Sequence, residues 1–434
     1  MIFKGAKLIT KDGVTEAEVK VEAGKIAKIA KDVPAVGDEV EDLSGLYLTY
    51  GAIDGHTHFN SRFLGAKEPI PTADDYKTGS EVALAGGITS FINFFESSGN
   101  PVLFLSEEVA NASVNSMADF SFHFIVKREE EIKRIRDVFA MGTKSVKVFM
   151  AYDNMRLSDL NILRVMEEVK ALGGVVAVHA ENGDVIDYLQ QKYESEDPIY
   201  HAKTRPTESE VEAVNRFATL AYLTKVKSYV VHVSSPRSLD VINEWRKRGA
   251  EIYAETCPHY LTFNETAYLR KDGKRFIMSP PLRSEEERKD IVKRLKEFYT
   301  VGSDYSGYLS KYKDESKSYK DVPNGVASTE FLVPVLASLM AEGYIDPQAF
   351  HALTSGNAVK LYNLKEKGLE EGKDADFVAI KLEEWVVKEW HGRMDHSIYD
   401  GVKFKAKVAR TYLRGELVYE EGDVKGGRGK LLER

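Results

Sequence analysis

Apolar residues in this chain gather into short runs rich in valine, isoleucine and phenylalanine, set apart by longer stretches of helical periodicity. The runs are Leu46 to Ile53, Ile88 to Phe95, Phe120 to Val126, Ser145 to Ala151, Gly174 to Ala180, Ser228 to Val233, Glu251 to Glu255 and Phe298 to Gly302. Runs of this kind read as strands covered on both faces. The spacing predicts helices over Thr72 to Ala85, stopped by Gly86-Gly87, and over Ser158 to Leu172, stopped by Gly173-Gly174. Another starts at the capping Ser235 and Pro236 and ends at Gly249, with proline and glycine at the helix ends that tolerate them. Eight strands alternating with helices predict an α/β fold of the (β/α)8 TIM barrel type. A doubly wound open sheet is the alternative, but no Gly-x-Gly-x-x-Gly follows the first run.

The two ends differ in texture. Ile2 to Thr10, Glu16 to Ala30 broken at Ala23-Gly24, and Glu39 to Tyr50 read as short strands with turns at Asp12-Gly13 and Gly37-Asp38. The same texture returns in Ala375 to Leu382 and in Lys405 to Tyr419, with a turn at Arg414-Gly415. Neither piece alone makes a stable sheet, so the two ends are expected to pair into one β-sandwich. The expected division is residues 1–50 with 366–434 as a composite sandwich and 51–365 as the catalytic barrel. Lys425-Gly426-Gly427-Arg428-Gly429 reads as a loose tail.

With 434 residues, 43% hydrophobic and 29% charged, the chain has the composition of a soluble globular protein able to bury a large core. A net charge of -8 argues against nucleic-acid binding, which needs clustered basic charge. The lone Cys257 excludes an intramolecular disulfide. The first ten residues carry no signal-peptide core, and no apolar run approaches the length needed to cross a bilayer. The expectation is a cytoplasmic protein with neither nucleic-acid nor membrane partners.

Candidate chemistry falls where barrel strands meet the loops that follow them, the face on which such barrels carry their sites. His56 and His58 close the first strand, and their spacing of two turns both toward one face. Lys147 lies in the fourth strand, His179 ends the fifth, His232 the sixth, and Asp304 follows the eighth. A lone histidine at a strand end is more often an ordinary hydrogen-bonded core residue than a ligand. Together they make a donor set suited to zinc or a similar ion. An ammonium beside cations would be repelled, so Lys147 is either a carbamate formed with carbon dioxide or a lysine paired with a neighbouring carboxylate.

These motifs resemble the amidohydrolase superfamily, within it the cyclic-amide hydrolases: hydantoinases, dihydropyrimidinases, allantoinases and dihydroorotases. The resemblance spans nearly the whole chain and rests on Asp54-Gly55-His56-Thr57-His58, Ser145 to Tyr152, Val178 to Asp184, His232-Val233-Ser234, Glu255 to Leu261, Met278 to Arg283 and Gly372 to Phe377. It implies two divalent metal ions, Zn2+ with Mn2+ or Co2+ as alternatives, bridged by carboxylated Lys147. His56, His58 and Asp304 would hold one ion, His179 and His232 the other. A metal-bridging hydroxide would attack a ring amide, with Asp304 moving the proton, Tyr152 donating to the oxyanion, and backbone groups of Ser279 and Asn324 gripping the ring.

Asn60 stands where dihydroorotases carry an arginine, and Ser61 to Gly65 replaces the Glu-Pro-Gly of dihydroorotases and allantoinases. Thr72 to Gly79 and Phe149 to Tyr152 are similar to the hydantoinase and dihydropyrimidinase versions. Tyr305-Ser306-Gly307 departs from the histidine usual after the aspartate, and His259 leans toward allantoinases. The expected reaction is hydrolysis of hydantoin or dihydropyrimidine to an N-carbamoyl amino acid. Allantoinase or dihydroorotase activity, or a non-catalytic scaffold of the same fold, are the alternatives. Relatives form dimers and tetramers, so a homo-oligomer is expected, and Phe331 to Met340 offers either contact surface or barrel core.

Overall fold

Ala52–Thr57, Ile88–Phe95, Asp119–Ile125, Ser145–Phe149, Val175–His179, Lys227–Val230, Ile252–Thr256 and Thr300–Val301 form one parallel sheet in chain order. This is a computed structural model that describes residues 1–63 and 68–434. The sheet curls shut where Tyr305 pairs with the first strand, its carbonyl accepting from His58 N at 2.9 Å. A (β/α)8 barrel results. Every residue of the first five strands is buried, which accounts for their unbroken apolar runs. The flanking helices begin where caps dictate. Asp75 accepts from Lys77 N and Thr78 N ahead of Tyr76–Ala85, Ser158 caps Asp159–Ala171, and Ser235 caps Pro236–Lys247.

The first barrel strand differs from the expected Leu46 to Ile53. That run divides into Tyr47–Tyr50, in a second sheet, and Ala52–Thr57 in the barrel. Gly51 sits at the crossing, so close to Thr89 that a Cβ would lie 2.3 Å from its hydroxyl oxygen. Only glycine lets the chain pass between sheets there. The sixth strand also stops early, at Val230, leaving His232 beyond it.

Strands from both ends of the chain make the second sheet, ordered Asp423–Val424, Glu416–Glu420, Lys407–Leu413, Phe377–Lys381, Tyr47–Tyr50, Lys7–Thr10 and Gly13–Glu16. Lys25–Ala30, Glu18–Glu22, Ile2–Lys4 and Val40–Asp42 form a third. Phe3, Leu8, Val19, Ile26, Phe377 and Tyr412 fill the layer between them. Full burial of each such side chain stabilises by about 1.5–3 kcal/mol. Leu332–Ala341 is covered within the chain over most of its length, which places it in the core.

The glycine-rich segment after Val424 is not loose. Lys430 N donates to Asp119 Oδ1 at 2.8 Å, Leu432 N donates to Phe120 O at 2.8 Å, and Leu432 joins the apolar floor of the barrel. A Cβ would stand 2.5 Å from Met117 O at Gly427 and 2.0 Å from Ala118 O at Gly429, so these two glycines serve close apposition. Arg434 is buried, with its guanidinium 5.2 Å from the Tyr362 ring centroid and donating to Phe122 O and Ser145 Oγ. Among the described residues, no helix is long and apolar enough to cross a membrane. Leu64 and Gly65, part of the stretch that replaces Glu-Pro-Gly, lie outside the described residues.

Candidate metal centre

The rim begins with Asp54, whose Oδ1 accepts from His56 N at 3.1 Å and from Ser303 N at 3.0 Å. That buried carboxylate ties the first strand to the segment carrying Asp304. Asn93 accepts from Phe59 N and Thr57 Oγ1, fixing the bend beyond His58. His56 Nε2 then lies 3.0 Å from both Lys147 Nζ and Asp304 Oδ1, and His58 Nε2 lies 3.6 Å from the same carboxylate oxygen. Across the rim, His179 Nδ1 is 3.0 Å from His232 Nε2. Ligand atoms of His56, His232 and Asp304 fall within 4.8 Å of one another.

The donor set fits divalent cations. Imidazole nitrogens and a carboxylate converge on a common space, and two of the rings are each held from behind by a buried carboxylate. Glu255 Oε1 is 2.6 Å from His56 Nδ1, and Glu181 Oε2 is 2.7 Å from His179 Nε2. Such outer partners fix the tautomer and orientation of metal-binding histidines. Burial alone would raise the Glu181 carboxyl, but Arg205 and His179 bring it down to about 2. Burial likewise opposes ionisation of Asp304, and His56 and His58 override it and hold it well below the usual range. His58, half-buried at the cavity wall, is pushed down to about 4 by desolvation and offers a neutral ring.

Lys147 is 2% exposed, with Nζ 4.4 Å from the Phe94 ring centroid and 5.1 Å from that of Phe149. Among the described residues no carboxylate lies within 4.0 Å of its amine, so the carboxylate-paired reading finds no partner. Burial pushes the amine down to about 8.

His58, Lys147, His179, His232 and Asp304 line one cavity of about 520 Å³ together with Tyr152, Ser279 and Asn324, while His56 is fully buried beneath. The structure thus brings all nine sequence-predicted residues to one place. Tyr152, His232 and Asp304 have φ of 69, 42 and 49°, the left-handed region that non-glycine residues avoid, and such backbone clusters at functional sites. Arg205 stacks over Tyr152 with its guanidinium 5.0 Å from the ring centroid and pairs with Glu181 at 2.6 Å, linking the phenol to His179. His201 Nε2 reaches Met278 O at 2.8 Å and steadies the backbone at Ser279. Asn60 turns away from the cavity, donating to Glu108 Oε2 at 3.5 Å.

Sequence reasoning missed Glu181 and Glu255. The available signal was an acidic residue inside or just beyond a buried barrel strand, a place where a charge persists only with a partner.

The amidohydrolase family model matches residues 47–418. The D-hydantoinase of Geobacillus stearothermophilus is 34% identical over 459 residues, covering 100% of this chain and 96% of that protein. The allantoinase of Bacillus velezensis is 30% identical, covering 100% of this chain and 97% of that one. Among solved structures, the dihydropyrimidinase of Brevibacillus agri superposes with a TM-score of 0.94 at 32% identity, over 100% of this chain and 98% of its own. Barrel topology, a rim of histidines with an aspartate, and full-length similarity agree: the chain belongs to the amidohydrolase family, in its hydantoinase branch.

Proposed function

We propose that this chain hydrolyses the ring amide of a hydantoin or dihydropyrimidine to the N-carbamoyl amino acid. The observation that carries the reading is the convergence of His56, His58, Lys147, His179, His232 and Asp304 on the cavity that Tyr152, Ser279 and Asn324 also line. The relatives named D-hydantoinase and dihydropyrimidinase support it.

In this reading His56, His58 and Asp304 would hold one divalent cation and His179 and His232 a second, and Lys147, as a carbamate, would supply two anionic oxygens to the site. Zinc suits a donor set dominated by imidazole, with manganese or cobalt as the other candidates. The lowered Lys147 amine supports the carbamate, because only a neutral amine adds carbon dioxide. Cations held there would supply an acidified water and a polarised carbonyl. Asp304, ionised throughout the working pH range, takes the proton of the attacking water and passes it to the leaving ring nitrogen. The Tyr152 hydroxyl donates to the oxyanion as it develops, and backbone groups of Ser279 and Asn324 orient the ring amide.

We also read residues 1–50 with 366–434 as one composite unit beside a catalytic unit of 51–365, supported by the sheet drawn from both ends. The protein is further read as a cytoplasmic homodimer or homotetramer. Exposed Leu103, Val114, Tyr188 and Leu223 offer apolar surface for self-association.

Assays of the purified protein on hydantoin, dihydrouracil, dihydroorotate and allantoin test the reaction. Ring opening of hydantoin or dihydrouracil is expected. Conversion of allantoin alone would replace this reading with an allantoinase. No hydrolysis and no bound metal after zinc, manganese or cobalt reconstitution would make the chain a scaffold.

A further inference from the structure

A second cavity of about 1100 Å³ lies at the seam between the sheet built from both ends and the last barrel helices. Tyr50, which precedes the first barrel strand, lines it, so it sits at the opposite end of the strands from the metal ligands. Its lining takes Lys11 from the turn before Gly13–Glu16, His351 from Pro347–His351, Lys360 from Asn357–Tyr362, and Lys365 and Lys373 from the segment leading back into the sheet.

The charge of this lining is out of balance. The chain as a whole has 68 acidic residues against 60 basic ones, yet among the described residues none of these four lysine amines has a carboxylate within 4.0 Å. A fifth lysine of the lining, Lys367, is neutralised by Asp119, Asp374 and Asp376. Asp12 and Glu370 are the lining's acidic residues.

His351 adds an independent observation. It is 8% exposed, and its Nδ1 is buried without a hydrogen-bond partner, while Nε2 packs toward Gly356. Burial, with Lys360 and Lys11 close by, pushes the imidazole down to about 4, so the ring is neutral and Nδ1 is free to carry a proton as a donor. The next turn, Ala352–Gly356, is wound as a π-helix, a local widening frequent at functional sites.

We propose that this cavity binds an organic phosphate, with the phosphate group between Lys11, Lys360 and the Nδ1–H of His351. Two ammonium groups and one neutral donor match a doubly charged group with three acceptor oxygens better than a single carboxylate. The volume far exceeds one inorganic ion, and Leu364 and Leu369 offer apolar wall for the rest of the ligand. This inference does not depend on which ring the metal centre opens.

Calorimetric titration of the metal-loaded protein with AMP, pyrophosphate and adenosine at physiological salt tests it. AMP and pyrophosphate are expected to bind at one site per chain, and adenosine is not. In the double variant Lys11→Glu, Lys360→Glu, AMP affinity is expected to fall at least about tenfold, the worth of one charge-assisted hydrogen bond. Metal content and hydantoin turnover should be unchanged in that variant. Absence of binding by both phosphate compounds would overturn the proposal. So would AMP binding that persists in the double variant and vanishes when the metals are stripped, because the phosphate would then sit at the metal centre. Binding matched by chloride at equal ionic strength would reduce the site to unspecific charge attraction and overturn it equally.

Discussion

Glu255 Oε1 lies 2.6 Å from His56 Nδ1 and turns the other ring nitrogen toward Lys147 and Asp304. The second oxygen of Glu255 accepts from Tyr229 OH at 2.7 Å, so neither the ring nor the carboxylate is free to rotate. Replacing Glu255 with glutamine keeps the shape and loses the charge that favours the required tautomer. We expect Glu255→Gln to bind zinc about 10- to 100-fold more weakly. Chelator competition followed by metal analysis measures this, and an unchanged zinc affinity would remove Glu255 from the metal centre.

Lys147 has no carboxylate to neutralise it among the described residues and lies against two aromatic rings. Lys147→Ala is expected to lose bound metal and nearly all turnover. Short carboxylic acids such as acetate or propionate, supplied in excess, should restore part of both, since they replace the two oxygens of a carbamate. A variant with full metal content and normal rate would refute the bridging role.

Glu181 has a carboxyl lowered from its ordinary 4.5 to about 2, so the fold favours its ionised form. The unfolded chain binds the proton more readily, and stability from this group is complete above pH 4.5 and lost as pH falls toward 2. The shift is worth on the order of 3 kcal/mol in the metal-free protein. Urea unfolding of wild type and Glu181→Gln over the acid range should show curves that lie apart near neutrality and converge toward the lower value. Parallel curves throughout would show that Glu181 is not held ionised by the fold.

Lys367 is 1% exposed and sits 2.5 Å from Asp119, 2.5 Å from Asp376 and 3.1 Å from Asp374. Arg414 also pairs with Asp119, but replacing the lysine with methionine leaves buried carboxylates without their central cation. Lys367→Met is expected to destabilise by about 3–5 kcal/mol. Chemical denaturation measures it, and a change below about 1 kcal/mol would mean that water or neighbouring cations replace the lost charge.

The barrel and its rim were legible because each rests on local pattern. Val175-Val176-Ala177-Val178-His179 announces a buried strand ending in a donor with no knowledge of its neighbours. The switch of sheets at Gly51 was not legible, since Leu46 to Ile53 is one unbroken apolar run and a sheet change leaves no mark on periodicity. Glu255 stayed silent for another reason. Its partner His56 is 199 residues away, and nothing near either residue encodes the contact. Glycine-rich composition was misread after Val424 because close packing and looseness both select glycine.

The anchoring of Lys430 to Asp119 spans 311 residues, and Leu432 and Arg434 seal the floor beneath Phe120, Phe122 and Ser145. Closing so long a loop is slow compared with pairing neighbouring strands. The order of assembly follows from that separation. The parallel strands can align in succession as the chain emerges, but the underside of the barrel stays wet until residues 430–434 arrive, which makes sealing of the floor a late event in maturation.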